Sequence, residues 1–272
     1  MMANYLIVVE GQSLELKFFE SLFARCLPEY SLDPRVYNKA NQEELKITTS
    51  GNSGDNTIYI IKPKHNSLSE IVRGLKNDPD VYAFAEFFSE ERPDPDFFEK
   101  VFLIFDIDET SAQDLRFAMS FFNDEYGQGL LLLSSPSIEA LGDKNRSFLL
   151  PIGQSINSTY KPMVRSQLVL QRKIRPNGKI ADYFHSSGVS LLQRAFLENR
   201  ILFGTDKAFM EHPDCFGKMC LPEALSNGTR YPHVCSLVYV LLGSLFRLDL
   251  QISPNEALLD KFRQLSSKEP ST

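Results

Sequence analysis

Three short apolar runs, each followed by an acidic residue, constrain the fold of this chain more than any other feature. They occupy residues 6–9, 101–105 and 130–133. Continuous apolar runs of this length are typical of strands that are buried on both faces of a parallel sheet. Because helical patterns lie between them, we predict an α/β fold with a Rossmann-like parallel sheet flanked by helices.

Helix-capping residues support this alternation. Ser13 precedes an aromatic helical pattern, and the pairs Ser67 with Glu70 and Ser111 with Asp114 have the spacing of capping boxes. The helix that begins after Ser111 is predicted to continue as far as Tyr126, because its apolar stripe includes that residue. Residues 57–61 are predicted to be a further strand.

The second half of the chain lacks this alternation. We predict a strand at residues 167–171 and helices at 187–203 and 234–248. The resulting division is a catalytic domain at 1–150, which contains an insertion within 31–100, and a basic segment with a mainly helical C-terminal region at 151–272.

Acidic residues follow all three apolar runs: Glu10, then Asp106 and Asp108, then Glu139. The carboxyl ends of neighbouring parallel strands meet at one edge of a sheet, where ligands of α/β proteins commonly bind. In an extended backbone, Asp106 and Asp108 would project to the same side. Carboxylate oxygens are the ligands that Mg²⁺ prefers, so the pattern predicts a divalent-metal site.

These motifs resemble those of the Toprim domain of topoisomerases, bacterial primases and OLD-family nucleases. The resemblance rests on Val-Val-Glu-Gly-Gln-Ser at residues 8–13 and on the strand that ends in Asp106-Ile-Asp108. The stretch Ser-Ser-Pro-Ser-Ile-Glu at 134–139 is similar to a Ser-Asn-Pro-x-Phe-Glu stretch of RloB-like and AbiL-like Toprim proteins of bacterial anti-phage defence. The likeness covers roughly residues 5–30 and 100–142.

The resemblance implies a nuclease that depends on Mg²⁺ or Mn²⁺ and cleaves DNA or RNA, tRNA among the candidates. Glu10 would be the general acid/base or a metal ligand, Asp106 and Asp108 would be the metal-binding pair, and Glu139 an added ligand. It further implies a toxic defence effector with an ATPase partner; a homodimer is left open. Many relatives carry an acid four positions after the first glutamate. Here Leu14 takes that position and Glu15 is one step out of register, which argues against a second-metal role.

Charge is unevenly distributed along the chain. The net charge is −6, yet residues 144–181 contain eight Lys or Arg and no Asp or Glu. Such a segment can contact a polyanion, although a solvated surface or a docking face for an acidic partner is an equal alternative. The candidate nucleic-acid contacts in it are Lys161, Arg165, Arg172, Lys173 and Arg175.

Composition bounds the class of protein. Hydrophobic residues make up 43% and charged residues 24%, as in a globular domain. The apolar run at 234–246 is shorter than the ~20 residues of a membrane span, and no signal peptide is evident, so we expect no membrane contact and a cytoplasmic location. Four scattered cysteines fit a reducing compartment. A zinc site among the Cys and His residues of 212–235 is an alternative to buried free thiols.

Two other functions remain open at this point. The stretch Asp106-Ile-Asp108-Glu-Thr also looks like the first motif of haloacid-dehalogenase-like phosphatases, with Asp106 as the nucleophile and Ser134 as a phosphate contact. Glu10 is unexplained in that family. The other alternative is a Toprim module that docks on an ATPase without catalysing a reaction.

Overall fold

A mixed β-sheet organises the computed structural model. The structure describes residues 4–11, 14–19, 30–33, 44–49, 57–61, 67–77, 97–124, 126, 128–143, 150–187, 190–191 and 221–235. Its eight strands are β1 (Asn4–Val9), β2 (Tyr30–Asp33), β3 (Glu44–Thr49), β4 (Thr57–Ile61), β5 (Lys100–Asp106), β6 (Asn123–Asp124), β7 (Gly129–Ser135) and β8 (Val234–Cys235).

The centre of the sheet is parallel, as predicted. The strand order is β2-β3-β4-β1-β5-β7-β6, and β8 also pairs with β7. Strands β4, β1, β5 and β7 run parallel, whereas β2, β3, β6 and β8 are antiparallel to their neighbours. Within 31–100, where an insertion is predicted, β3 extends the sheet beyond β4. The chain is therefore an α/β protein whose mostly parallel sheet is flanked by helices, an arrangement compatible with a Rossmann-like fold.

Burial explains why the three apolar runs are continuous rather than alternating. Leu6 to Val9 have no exposed surface, and every residue of β7 is buried. A strand in this position is covered by helices on both faces, so no polar side chain has a solvent-facing place along it.

The described residues also form four named helices, two shorter helical turns and two further helical segments. The helices are α1 (Leu68–Asn77), α2 (Ala112–Phe121), α3 (Lys161–Leu170) and α4 (Leu221–Asn227). A 3₁₀ turn covers Ile138–Gly142, a π-helical turn covers Ile156–Tyr160, and residues 14–19 and 180–187 are also helical.

Both predicted capping pairs are confirmed. The Glu70 N–H donates to the hydroxyl of Ser67 at 3.3 Å, and the Asp114 N–H donates to Ser111 at 3.1 Å. The Ser111 hydroxyl in turn donates to the Asp114 carboxylate at 2.8 Å. Each cap satisfies one of the N–H groups that a helix start leaves without an intrahelical partner.

Three predictions of secondary structure were wrong. Residues 167–170 belong to α3, because Val164 and Leu168 are buried one helical turn apart. Helix α2 ends at Phe121, and the chain then pairs with β7 through β6, which leaves Tyr126 65% exposed. The predicted helix at 234–248 begins instead as strand β8 beside β7, and its remainder lies outside the described residues.

The predictions on membrane spans and on a zinc site concern residues that the structure describes only in part. No helix in the described ranges has the length and apolar character needed to cross a membrane. Of the candidate zinc ligands, His212, Cys215 and Cys220 lie outside the described residues. His233 is buried with its ring against the edge of Tyr160, and Cys235 pairs with Ser134 in the sheet.

Residues that follow β7 in the chain pack around the end of that strand, with β8 paired to it. Helix α3 packs on the 3₁₀ turn that follows β7. The approach is close, since a Cβ atom added to Gly142 would lie 3.3 Å from a methyl group of Val164. This packing brings Lys161, the first residue of α3, to the strand ends that carry the acidic residues.

Candidate metal centre

The four predicted acidic residues follow three neighbouring parallel strands. Glu10 comes directly after β1, Asp106 ends β5, Asp108 lies in the next turn, and Glu139 lies in the 3₁₀ turn after β7. Val9 is aligned with Ile104, and Asp106 with Ser134, so the three strands end at nearly the same level. The predicted convergence at one sheet edge is confirmed.

Asp106 connects the three strand ends by hydrogen bonds. Its N–H donates to Oε2 of Glu10 at 2.7 Å, and its Oδ1 accepts from the N–H of Ile138 at 2.7 Å. These bonds fix Asp106 between the turn after β1 and the turn after β7. The residue is only 5% exposed, so its carboxyl group is held in one position by its surroundings.

Asp108 reaches the site through a turn rather than through an extended strand. Its φ is 41°, in the left-handed region, where Asp is tolerated better than most residues. The sequence argument for Asp106 and Asp108 assumed an extended backbone and was wrong in that detail. The turn nevertheless places both carboxylates within reach of one ammonium group.

That ammonium belongs to Lys161. Its Nζ lies 3.2 Å from Oδ2 of Asp106 and 3.6 Å from Oδ1 of Asp108. Lys161 continues directly from the π-helical turn at Ile156–Tyr160, so a helical backbone on both sides holds it at the acidic residues. The sequence placed Lys161 among the nucleic-acid contacts; the structure places it in the acidic site.

Glu15 is a further acidic residue of the site. In the helical segment 14–19, Glu15 is 5% exposed, whereas Leu14 is half-buried. A Cβ atom on Gly11 would lie 1.9 Å from Oε2 of Glu15, so glycine at position 11 leaves room for that carboxyl group. The sequence did not place Glu15 in the site, whereas the structure buries it beside Gly11. Its role toward a second metal stays a prediction.

Burial and neighbouring negative charges raise the pKa of three carboxyl groups in the centre, those of Glu10, Asp106 and Glu15. Burial, aided by the charges of Asp106 and Asp108, raises the pKa of Glu10 to about 10. Burial and nearby Glu139 raise the pKa of Asp106 well above its usual range. Burial and Glu139 also raise the pKa of Glu15 to about 7.

The pKa of the Lys161 ammonium group is also raised, here because the neighbouring carboxylates stabilise its charge. Burial alone would lower the pKa of its ammonium group, but the carboxylates of Asp106, Glu139 and Asp108 outweigh burial and raise it. Within the described residues, the carboxyl groups of Asp106, Asp108, Glu139 and Glu15 interact with this ammonium, and Glu10 interacts with the two aspartates. Further positive charge, as protons or as a cation, is needed to balance them.

The residues fit a divalent metal by their chemistry. Oε2 of Glu139 and Oε2 of Glu15 are buried and accept no hydrogen bond from the described residues, and Oδ1 of Asp108 has only the ammonium of Lys161 at 3.6 Å. Buried carboxylate oxygens without donors are costly unless a cation meets them. Among the described residues, no three acidic, histidine or cysteine side chains are spaced as ligands of one ion. Because Lys161 pairs with both aspartates, a metal bound by both would have to displace its ammonium group.

The remaining predicted nucleic-acid contacts lie apart from the acidic residues. Lys173 and Arg175, with Lys179, line a cavity of about 300 Å³. Arg165 supports its wall by donating to the carbonyl oxygens of Pro176 at 2.8 Å and Gly178 at 3.3 Å. Arg172 adopts a left-handed φ of 57° just after α3.

Comparison of the chain with protein-family models, curated proteins and solved structures gives no match, so its function must be argued from the geometry of this centre.

Proposed function

We propose that the chain is a Toprim-type, metal-dependent nuclease that cleaves phosphodiester bonds of DNA or RNA. One observation carries the proposal: Glu10, Asp106 and Asp108 converge at the ends of adjacent parallel strands. Glu10 accepts from the N–H of Asp106, and Asp106 and Asp108 share the ammonium group of Lys161. Several buried carboxylates around one point, with too few hydrogen-bond donors, are the donor set of a Mg²⁺ or Mn²⁺ site.

Asp106, Asp108, Glu10 and Glu139 are the residues that would hold the ion. When bound, it would supply Lewis-acid polarisation of the phosphate and activation of a water nucleophile. Glu10 is placed to hold a proton and to pass it to or from the reacting oxygens.

The positive charge of Lys161 also supports the proposed nuclease function. Once it releases an aspartate, its ammonium group can neutralise a non-bridging oxygen of the substrate phosphate. The cavity bordered by Lys173, Arg175 and Lys179 would contact the phosphate backbone farther along the strand, without regard to base sequence.

The phosphatase alternative is less well supported by the same contacts. A nucleophilic Asp106 would need an oxygen free to attack phosphorus. Its Oδ1 accepts from Ile138 and its Oδ2 pairs with Lys161, in a residue that is 5% exposed. Glu10, whose carboxylate accepts from the N–H of Asp106, also has no role in the phosphatase mechanism. A non-catalytic docking module would not require the five-carboxyl centre.

Substrate cleavage with added metal tests the proposal. We expect the full chain to cleave single- or double-stranded DNA, or tRNA, with Mg²⁺ or Mn²⁺, and EDTA to stop cleavage. A defence ATPase that holds the enzyme inactive is part of the proposal, so the assay is run with and without the copurifying partner. Cleavage that persists in EDTA, or its absence on every substrate under both conditions, would contradict the proposal.

A further inference from the structure

The ammonium group of Lys161 lies between the two aspartates of the acidic centre. Its Nζ is 3.2 Å from Oδ2 of Asp106 and 3.6 Å from Oδ1 of Asp108. Both distances exceed the roughly 2.7–2.9 Å of a strong charge-assisted hydrogen bond. A divalent ion carries twice the charge, and Mg²⁺ approaches carboxylate oxygens to about 2.0–2.1 Å. The lysine is therefore a weaker partner for these aspartates than a metal ion is.

Other acidic oxygens around the ammonium group receive little from it. Oε2 of Glu139 and Oε2 of Glu15 are buried and have no hydrogen-bond donor within the described residues. Glu15 is only 5% exposed, so water does not solvate its carboxyl group freely. Buried acceptors without donors are costly. The charge of one ammonium group thus only partly balances the acidic side chains gathered around it.

The backbone that carries Lys161 is fixed. Val164 has no exposed surface, and a Cβ atom on Gly142 would lie 3.3 Å from one of its methyl groups. On the opposite side of packing, Arg165 donates to the carbonyl oxygen of Pro176 at 2.8 Å. Because close-packed contacts of this kind resist displacement, helix α3 cannot withdraw from the acidic residues as a unit.

The side chain of Lys161, in contrast, has a route out of the centre. It is 27% exposed, whereas the side chains of Asp106 and Asp108 are 7% and 18% exposed. Lysine has a flexible four-carbon stem, so its ammonium group can turn toward solvent while its Cα stays in place. Asp106 cannot follow, since its Oδ1 accepts from the N–H of Ile138.

We propose that Lys161 is a counter-ion that is exchanged for the divalent metal, because its ammonium group and the ion compete for the same two aspartates. The inference rests on the proposed metal-dependent function and describes the regulation of that site. Competition makes metal binding weaker than the carboxylates alone would give. Metal binding in turn moves the ammonium group outward, so its charge becomes available to a substrate phosphate only when the metal is in place.

Mn²⁺ affinity in two variants of Lys161 tests this exchange. Methionine keeps an unbranched side chain without the charge, and arginine keeps the charge but can grip two carboxylates with its planar fork. We expect Lys161→Met to bind Mn²⁺ at least about fivefold more tightly than the wild type, and Lys161→Arg to bind it at least about threefold more weakly. If only the charge mattered, the arginine variant would match the wild type. Calorimetric titration of the full chain measures all three affinities.

Lys76→Met is the matched control, because Lys76 pairs with Asp114, outside the acidic centre. It removes the same charge from the protein, and we expect its Mn²⁺ affinity to equal that of the wild type. Urea unfolding in EDTA shows that each variant is folded. There Lys161→Met should unfold at a lower urea concentration than the wild type, and saturating Mn²⁺ should narrow that difference, since the ion replaces the lost positive charge.

Equal or weaker Mn²⁺ binding by Lys161→Met would overturn the inference, and so would a folded Lys161→Arg with wild-type affinity. Lys161→Met and its Lys76→Met control decide the matter if arginine does not fit. None of these measurements requires cleavage. The expected affinities without cleavage of any substrate would remove the nuclease function and leave the exchange standing. Normal cleavage by the wild type with unchanged affinities in the variants would do the reverse.

Discussion

Glu10→Gln is expected to lower metal-dependent cleavage by at least about a thousandfold. Glutamine keeps an oxygen that can accept from the N–H of Asp106, so the local fold is retained. The substitution removes a metal ligand and a proton-carrying group together. A bound metal contributes several kcal/mol of transition-state stabilisation, and each ~1.4 kcal/mol corresponds to about tenfold in rate.

Glu99→Gln is the matched control, because Glu99 is exposed at the opposite end of β5 from Asp106. We expect it to cleave at the wild-type rate. Initial rates on a labelled oligonucleotide, measured at saturating Mg²⁺, compare the two variants with the wild type. If Glu10→Gln retained the wild-type rate, Glu10 would have no part in the chemistry.

Leu103→Ala is expected to lower the free energy of unfolding by about 2–5 kcal/mol. Leu103 has no exposed surface and lies in β5 between the partners β1 and β7. Its side chain fills the space above Gly129, where an added Cβ atom would lie 2.3 Å from a leucine methyl group. The loss is a large part of the roughly 5–15 kcal/mol that holds a typical domain folded.

Leu170→Ala makes the same chemical change at a position that is 82% exposed. We expect a change within about 0.5 kcal/mol there. Urea unfolding, followed by circular dichroism, gives both values. Similar effects for the two substitutions would show that β5 does not lie at the centre of the core.

The strands and the convergence of acids could be predicted because they depend on strong local patterns. An apolar run buried on both faces has no alternation, and its neighbours along the chain carry helix caps. Once β1, β5 and β7 are taken as parallel, Glu10, Asp106 and Glu139 must follow strands that end at one edge. Residues 167–171 show the limit of such reasoning: a short apolar stretch suits either state, and the contacts of Val164 and Leu168 decide it.

The rest of the centre depends on contacts between distant segments. In the sequence, Lys161 is one cation of a basic segment. Only the packing of α3 on the turn after β7 brings it to the acidic residues. The burial of Glu15 beside Gly11 likewise depends on how the helical segment 14–19 packs against the strand ends. Tertiary packing sets these positions, and it is not encoded in local periodicity.

Calorimetric titration of Mn²⁺ into the wild type and into Asp106→Asn shows whether the acidic residues hold a divalent cation. Asp106 lies in the middle of the acidic residues, and asparagine keeps an oxygen for the N–H of Ile138 while removing the charge. We expect saturable Mn²⁺ binding by the wild type and binding at least about tenfold weaker by the variant, with Asp124→Asn on exposed strand β6 unchanged. Equal Mn²⁺ affinity for the wild type and Asp106→Asn, or no binding by the wild type, would contradict this expectation.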